Sequence, residues 1–110
     1  MATIIEDYCS KEIYRLLIEK GFDGEVHTTF DDEGYTQPSV SLQMAMKWLR
    51  KVHHIFIEIS VSIDLNGEHH YSYSILNREC KYVRKGYTDF DWNYEQACET
   101  AIKYCLENLI

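Results

Sequence analysis

Ile55-Phe56-Ile57-Glu58-Ile59-Ser60-Val61-Ser62-Ile63-Asp64 alternates apolar and polar residues along its length, the period of a β-strand with one buried face. Ile55, Ile57, Ile59, Val61 and Ile63 fall on one side, and Phe56, Glu58, Ser60, Ser62 and Asp64 on the other. One side demands a cover; the other tolerates water. Register then fixes the next strand. A two-residue turn at Asn66-Gly67 would set Tyr71, Tyr73 and Ile75 across from Ser62, Ser60 and Glu58, which puts the apolar sets of the two strands on opposite faces. A three-residue loop, Leu65-Asn66-Gly67, with Gly67 in a left-handed bulge position, sets Tyr71 against Val61, Tyr73 against Ile59 and Ile75 against Ile57. That register makes one face apolar throughout and is the expected one.

Working outward, a third strand is expected over Cys80-Lys81-Tyr82-Val83-Arg84-Lys85, where Arg78, Lys81, Arg84 and Lys85 give a basic edge of the kind that suppresses strand aggregation. Upstream, Pro38 suits the first position of a helix. Leu42, Ala45, Trp48, Leu49 and Val52 form its apolar stripe, and Lys47, Arg50 and Lys51 make its exposed side basic. This helix leads through His53-His54 directly into Ile55, so it is expected to cover the strand. An earlier helix is expected from the capping box Thr3-Ile4-Ile5-Glu6, with Cys9, Ile13, Leu16 and Leu17 inward, Gly21 as its stop and Phe22 folding back onto it. Val26–Phe30 reads as a short strand, and Asp31-Asp32-Glu33-Gly34 as a solvated turn lacking the ligand pattern of a calcium loop. The last helix starts at Asn93-Tyr94-Glu95-Gln96 and turns Ala97, Ala101, Tyr104, Cys105 and Leu109 inward. The expected architecture is a single α+β domain over residues 1–110, with helices packed on one face of a small antiparallel sheet in the order helix, helix, three strands, helix.

Composition agrees with one packed core: 110 residues are 45% hydrophobic, with one proline and five glycines. The chain shows no internal repeat, no secretory leader and no run long enough to cross a bilayer, so a cytoplasmic location is expected. Cys9, Cys80, Cys98 and Cys105 lack Cys-x-x-Cys spacing and read as reduced core residues. The adjacent pairs His53-His54 and His69-His70 fall at opposite ends of the hairpin and cannot form one metal site. No nucleophile motif, phosphate loop or metal-binding helix is present in the sequence, so no catalytic residue, cofactor or metal ligand is assigned and the chain is expected not to be an enzyme.

The net charge of -7 disfavours nonspecific binding to nucleic acid or anionic membrane. Its distribution is uneven: residues 1–36 carry nine acids against three bases, residues 37–88 four against seven, and residues 89–110 five against one. Two binding readings follow. The favoured one is an unidentified protein partner engaged by the sheet's open face or edge, or by the aromatic loop, through Phe56, Tyr87, Phe90 and Trp92; the outer face, with Phe56 and Leu76, also offers a homodimer surface. The alternative is nucleic-acid contact by Lys47, Arg50, Lys51, Arg78, Lys81, Arg84 and Lys85, which requires these side chains to share a surface.

Lys20-Gly21-Phe22-Asp23, then Thr36-Gln37-Pro38 through Lys47-Trp48-Leu49-Arg50, then the Tyr94-Glu95-Gln96-Ala97 helix, resemble in that order a family of small uncharacterised proteins carried by phages and mobile elements of gut bacteria. The resemblance spans most of the chain and implies a helper or interaction protein. The order from Pro38 onward is also similar to that of the double-stranded-RNA-binding domain, although Asn93-Tyr94-Glu95-Gln96 stands where that fold grips phosphate with lysines. The last helix resembles that of small acidic antitoxins, where such a domain holds partners.

Overall fold

Three turns of one design set the sheets. In each, an Asx side chain accepts from the backbone N–H groups two and four residues on: Asp31 from Glu33 (3.0 Å) and Tyr35 (2.9 Å), Asp64 from Asn66 (2.8 Å) and Glu68 (3.0 Å), Asn77 from Glu79 and Lys81 (both 3.1 Å). The fourth residue takes left-handed φ: Gly34 at 85°, Gly67 at 81° and Cys80 at 60°. The computed structural model describes residues 6–86 and 93–110. Its elements are α1 (Lys11–Glu19), β1 (His27–Phe30), β2 (Thr36–Ser39), α2 (Leu42–Val52), β3 (Phe56–Ile63), β4 (His69–Leu76), β5 (Tyr82–Gly86) and α3 (Tyr94–Asn108). They form an α+β fold with a two-stranded sheet, β1-β2, and a three-stranded antiparallel sheet, β3-β4-β5.

The β3–β4 register is the one burial demanded, with Ile57 opposite Ile75, Ile59 opposite Tyr73 and Val61 opposite Tyr71. Ile55, Tyr73 and Ile75 enter the core, and Ile57 and Ile59 pack against it. The cover is α3 more than α2. Ala97, Cys98, Ala101, Ile102, Cys105 and Leu106 are all buried, because α1 and α2 flank this helix while the sheet lies beneath it. Its cap is a capping box, with Gln96 N–H donating to Asn93 Oδ1 at 2.8 Å and Asn93 N–H to Gln96 Oε1 at 2.9 Å. The cover stops short of the hairpin, so Val61 and Ile63 remain 58% and 66% exposed.

Several expectations are corrected. Among the described residues the first helix begins at Lys11, capped by Ser10. Thr3, Ile4 and Ile5 lie outside the described residues, and residues 6–10 are not helical because their backbone is used elsewhere: Cys9 N–H donates to Val40 O (2.8 Å) and Asp7 O accepts from Leu42 N–H (2.9 Å). Pro38 sits in β2 opposite Thr28, and Ser41 caps α2. The Asp31 N–H to Tyr35 O bond makes alternate pairs bonded, so Pro38 falls at an unbonded position where its missing N–H costs nothing. The element order therefore gains a hairpin between the first two helices. Val52 faces solvent. The third strand starts at Tyr82, and Cys80 is an exposed turn residue, unlike the buried Cys9, Cys98 and Cys105.

Cys80 occupies the turn position where the other two hairpins have glycine, and a Cβ there costs about 1–2 kcal/mol. Part of any gain is offset by the freer unfolded chain of a glycine variant. Cys80→Gly is expected to raise stability by about 0.5–1 kcal/mol in urea unfolding; an unchanged or lowered midpoint would show that the left-handed conformation is not strained.

Candidate functional site

Strand alternation sorts the side chains of the three-stranded sheet. Helices cover the odd-numbered side of β3 and β4. On the other side Phe56 stands opposite Leu76 and Leu76 opposite Tyr82, a row of large apolar side chains with one member on each strand. Tyr82 is 56% exposed, and Lys85 Nζ lies 4.3 Å from its ring centroid. Beyond the row the open face is short and polar: Glu58, Ser60 and Ser62 on β3, and Ser72 and Ser74 on β4. The row is the natural anchor of this face, since burying aromatic and aliphatic surface gives most of the free energy of protein contacts.

At the hairpin end of the same face His70 Nε2 donates to Asp64 Oδ2 at 2.7 Å. Ligand atoms of Asp64, Glu68 and His70 lie within 4.8 Å of one another. Both Asp64 oxygens are engaged, Oδ1 by the turn's N–H groups and Oδ2 by His70, so a cation would have to displace the His70 proton. The arrangement is a clamp on the turn. Chiefly the His70 hydrogen bond, then those from Glu68 and Asn66 N–H, hold the Asp64 carboxyl below its ordinary value of 3.8. A depressed carboxyl stabilises the fold above its unfolded value and loses that contribution as pH falls through the lower folded value. Asp64→Asn is therefore expected to flatten the acid limb of the stability–pH curve below about pH 4; an acid limb identical to that of the parent would remove the clamp's role.

The opposite end carries a cleft of about 290 Å³ lined by residues that include His53, His54, Arg78, Glu79, Val83 and Leu109. Arg78 Nη2 lies 3.1 Å from His54 Nε2, and since a guanidinium only donates, the ring nitrogen is the acceptor of this contact. His54 has φ 56°. His53 packs edge-on against Trp48, with ring centroids 4.6 Å apart. The two histidine pairs lie at opposite ends of the sheet, since His70 stands opposite Ser62 while His54 precedes β3.

The seven basic residues divide between surfaces. Arg84 points to the helix side, its guanidinium carbon 4.7 Å from the Tyr104 ring centroid, while Lys85 lies on the open face over Tyr82. Lys47, Arg50 and Lys51 belong to α2, which packs on β3, two strands away from β5. Arg78 lies within the β4–β5 turn and reaches His54 just past the end of α2, while Lys81 follows the turn. Of the expected partner surface, Phe56 is on the open face, and Tyr87, Phe90 and Trp92 lie outside the described residues. Sequence reading missed Tyr82 as a member of the apolar row, because a bulge between Ile75 and Leu76 resets the pairing of β5. Burial pushes the Cys9 and Cys105 thiols up to about 12 and the Cys98 thiol to about 11, which leaves them without thiolate character at neutral pH.

The chain matches no family model, no curated protein and no solved structure.

Proposed function

We propose that this chain is a small non-enzymatic accessory module that holds a protein partner on the open face of its three-stranded sheet. The observation that carries the reading is the row Phe56, Leu76 and Tyr82, which crosses all three strands on the side away from the helical core. Large apolar side chains aligned in one row, with polar residues beside them, have the make-up of a binding patch: a dry anchor and a wettable rim. A cytoplasmic helper carried by a phage or mobile element is the setting in which we place it. We compare the order α2, β3, β4, β5, α3 with that of a double-stranded-RNA-binding domain, and the reading takes such a scaffold without the RNA. Glu95 in the first turn of α3 opposes a phosphate, and the basic side chains divide between surfaces.

The test is affinity capture by the tagged protein from its native host, with and without nuclease, beside a Phe56→Ser/Tyr82→Ser variant checked for folding by circular dichroism. A nuclease-resistant partner recovered by the parent and lost with the variant is the expected result. Recovery that depends on nucleic acid, or a partner indifferent to the double variant, would overturn the reading.

A further inference from the structure

The two edges of the three-stranded sheet are built differently. β5 is a five-residue strand, its pairing is interrupted by an irregularity, and it carries Arg84 and Lys85. Short length, bulges and cations are the devices that keep an edge from pairing with another chain. β3 has none of them. It is eight residues long, pairs with β4 without a break, contains no proline and has Glu58 as its one charge. Among the described residues no strand pairs with its outer side.

Backbone geometry shows which groups that edge offers. The Asp64 N–H to Glu68 O bond closes the turn, so even-numbered β3 residues bond to β4 and Ile57, Ile59, Val61 and Ile63 direct their N–H and C=O groups outward. We propose that this edge pairs antiparallel with β3 of a second copy, about a two-fold axis at Ser60, to make one continuous six-stranded sheet. The inference goes beyond the partner reading above, which uses the face of the sheet and not its edge.

The sequence is self-complementary in this register. Ile57 of each copy meets Ile63 of the other, and Ile59 meets Val61, which gives about eight backbone hydrogen bonds from four bonded pairs. Val61 and Ile63, the exposed end of the strand, are brought beside the end that packs against the partner's core. On the open face Ser60 meets itself and Glu58 meets Ser62, so no like charges oppose one another. Neighbouring registers are worse. Moving the axis to Glu58 opposes two Glu58 carboxylates, and moving it to Val61 opposes Glu58 to Asp64. An axis at Ile59 would need an outward N–H from Ile55, which already donates to Leu49 O at 3.1 Å.

Sedimentation equilibrium of the full chain over a concentration series tests this, with three variants whose changed side chain or N–H is external to the fold. The parent is expected to be a dimer. Ser60→Glu places two carboxylates face to face and is expected to weaken the dimer about tenfold. Ser62→Lys faces Glu58 of the other copy twice and is expected to strengthen it by a similar factor. Val61→Pro removes an outward N–H that the monomer does not use and is expected to give a folded monomer, with circular dichroism confirming the fold. A parent that stays monomeric throughout overturns the proposal, and so does a dimer indifferent to Ser60→Glu and Val61→Pro. A dimer lost instead with Phe56→Ser/Tyr82→Ser would place the interface on the open face. Partner capture by monomeric Val61→Pro separates the two readings, since it depends on the open face alone.

Discussion

Ile102→Ala is expected to cost about 2–5 kcal/mol in urea unfolding, enough to remove much of the stability of a domain this size. Ile102 is fully buried on α3, the helix that α1, α2 and the sheet all contact. Truncation there loses the transfer free energy of three carbons and leaves a cavity whose walls belong to different elements, so collapse around it is limited. Leu109→Ala on the same helix supplies the contrast. Leu109 lies on the stripe that sequence periodicity selects, but it is more than a third exposed at the helix's C-cap, and its loss is expected to cost less than about 1 kcal/mol. Equal costs for the two would mean that α3 is rotated from the orientation described.

Gly86→Ala is expected to destabilise by about 1–3 kcal/mol, the cost of overpacking a filled core. The Tyr73 ring, opposite Gly86 across the strands, lies over the glycine so closely that an added Cβ would fall 2.0 Å from Cε1 and 2.3 Å from Cζ. Tyr73 is buried at 3% exposure, and its hydroxyl hydrogen-bonds Arg84, which raises the pKa of the guanidinium. The ring is therefore held at both ends and cannot swing aside without opening the sheet–helix contact. Near-ultraviolet circular dichroism should change together with the urea midpoint. A stability equal to the parent's would mean that the ring moves freely.

Much of the fold is legible in the chain alone. The alternation in residues 55–64 names the strand, and burial alone rejects the two-residue turn at Asn66-Gly67 in favour of the register observed. Asn93 and Gln96 mark the start of α3 by hydrogen-bonding chemistry that requires only neighbouring residues. The failures share a cause. Thr3–Glu6 carries a sound local helix signal, yet the residues just beyond it give their backbone groups to residues 40–42, a long-range pairing that periodicity cannot register. Pro38 satisfies a helix start as well as it satisfies an unbonded strand position, and only its pairing with Thr28 distinguishes the two.

The candidate surfaces divide the same way. Phe56 stands out by its place in the strand, because apolar alternation is a one-dimensional property. Its alignment with Tyr82 depends on how β5 pairs with β4 through an irregular step, and the separation of Arg84 from Lys85 depends on what packs against each face. The sequence by itself determined the class of fold, the hairpin register and the cap of α3, since these follow from periodicity and from hydrogen bonds between residues close in the chain. Tertiary structure alone decided which helix is central, where the apolar row lies and which sheet edge is left unprotected, because each depends on groups that meet only after the chain has folded.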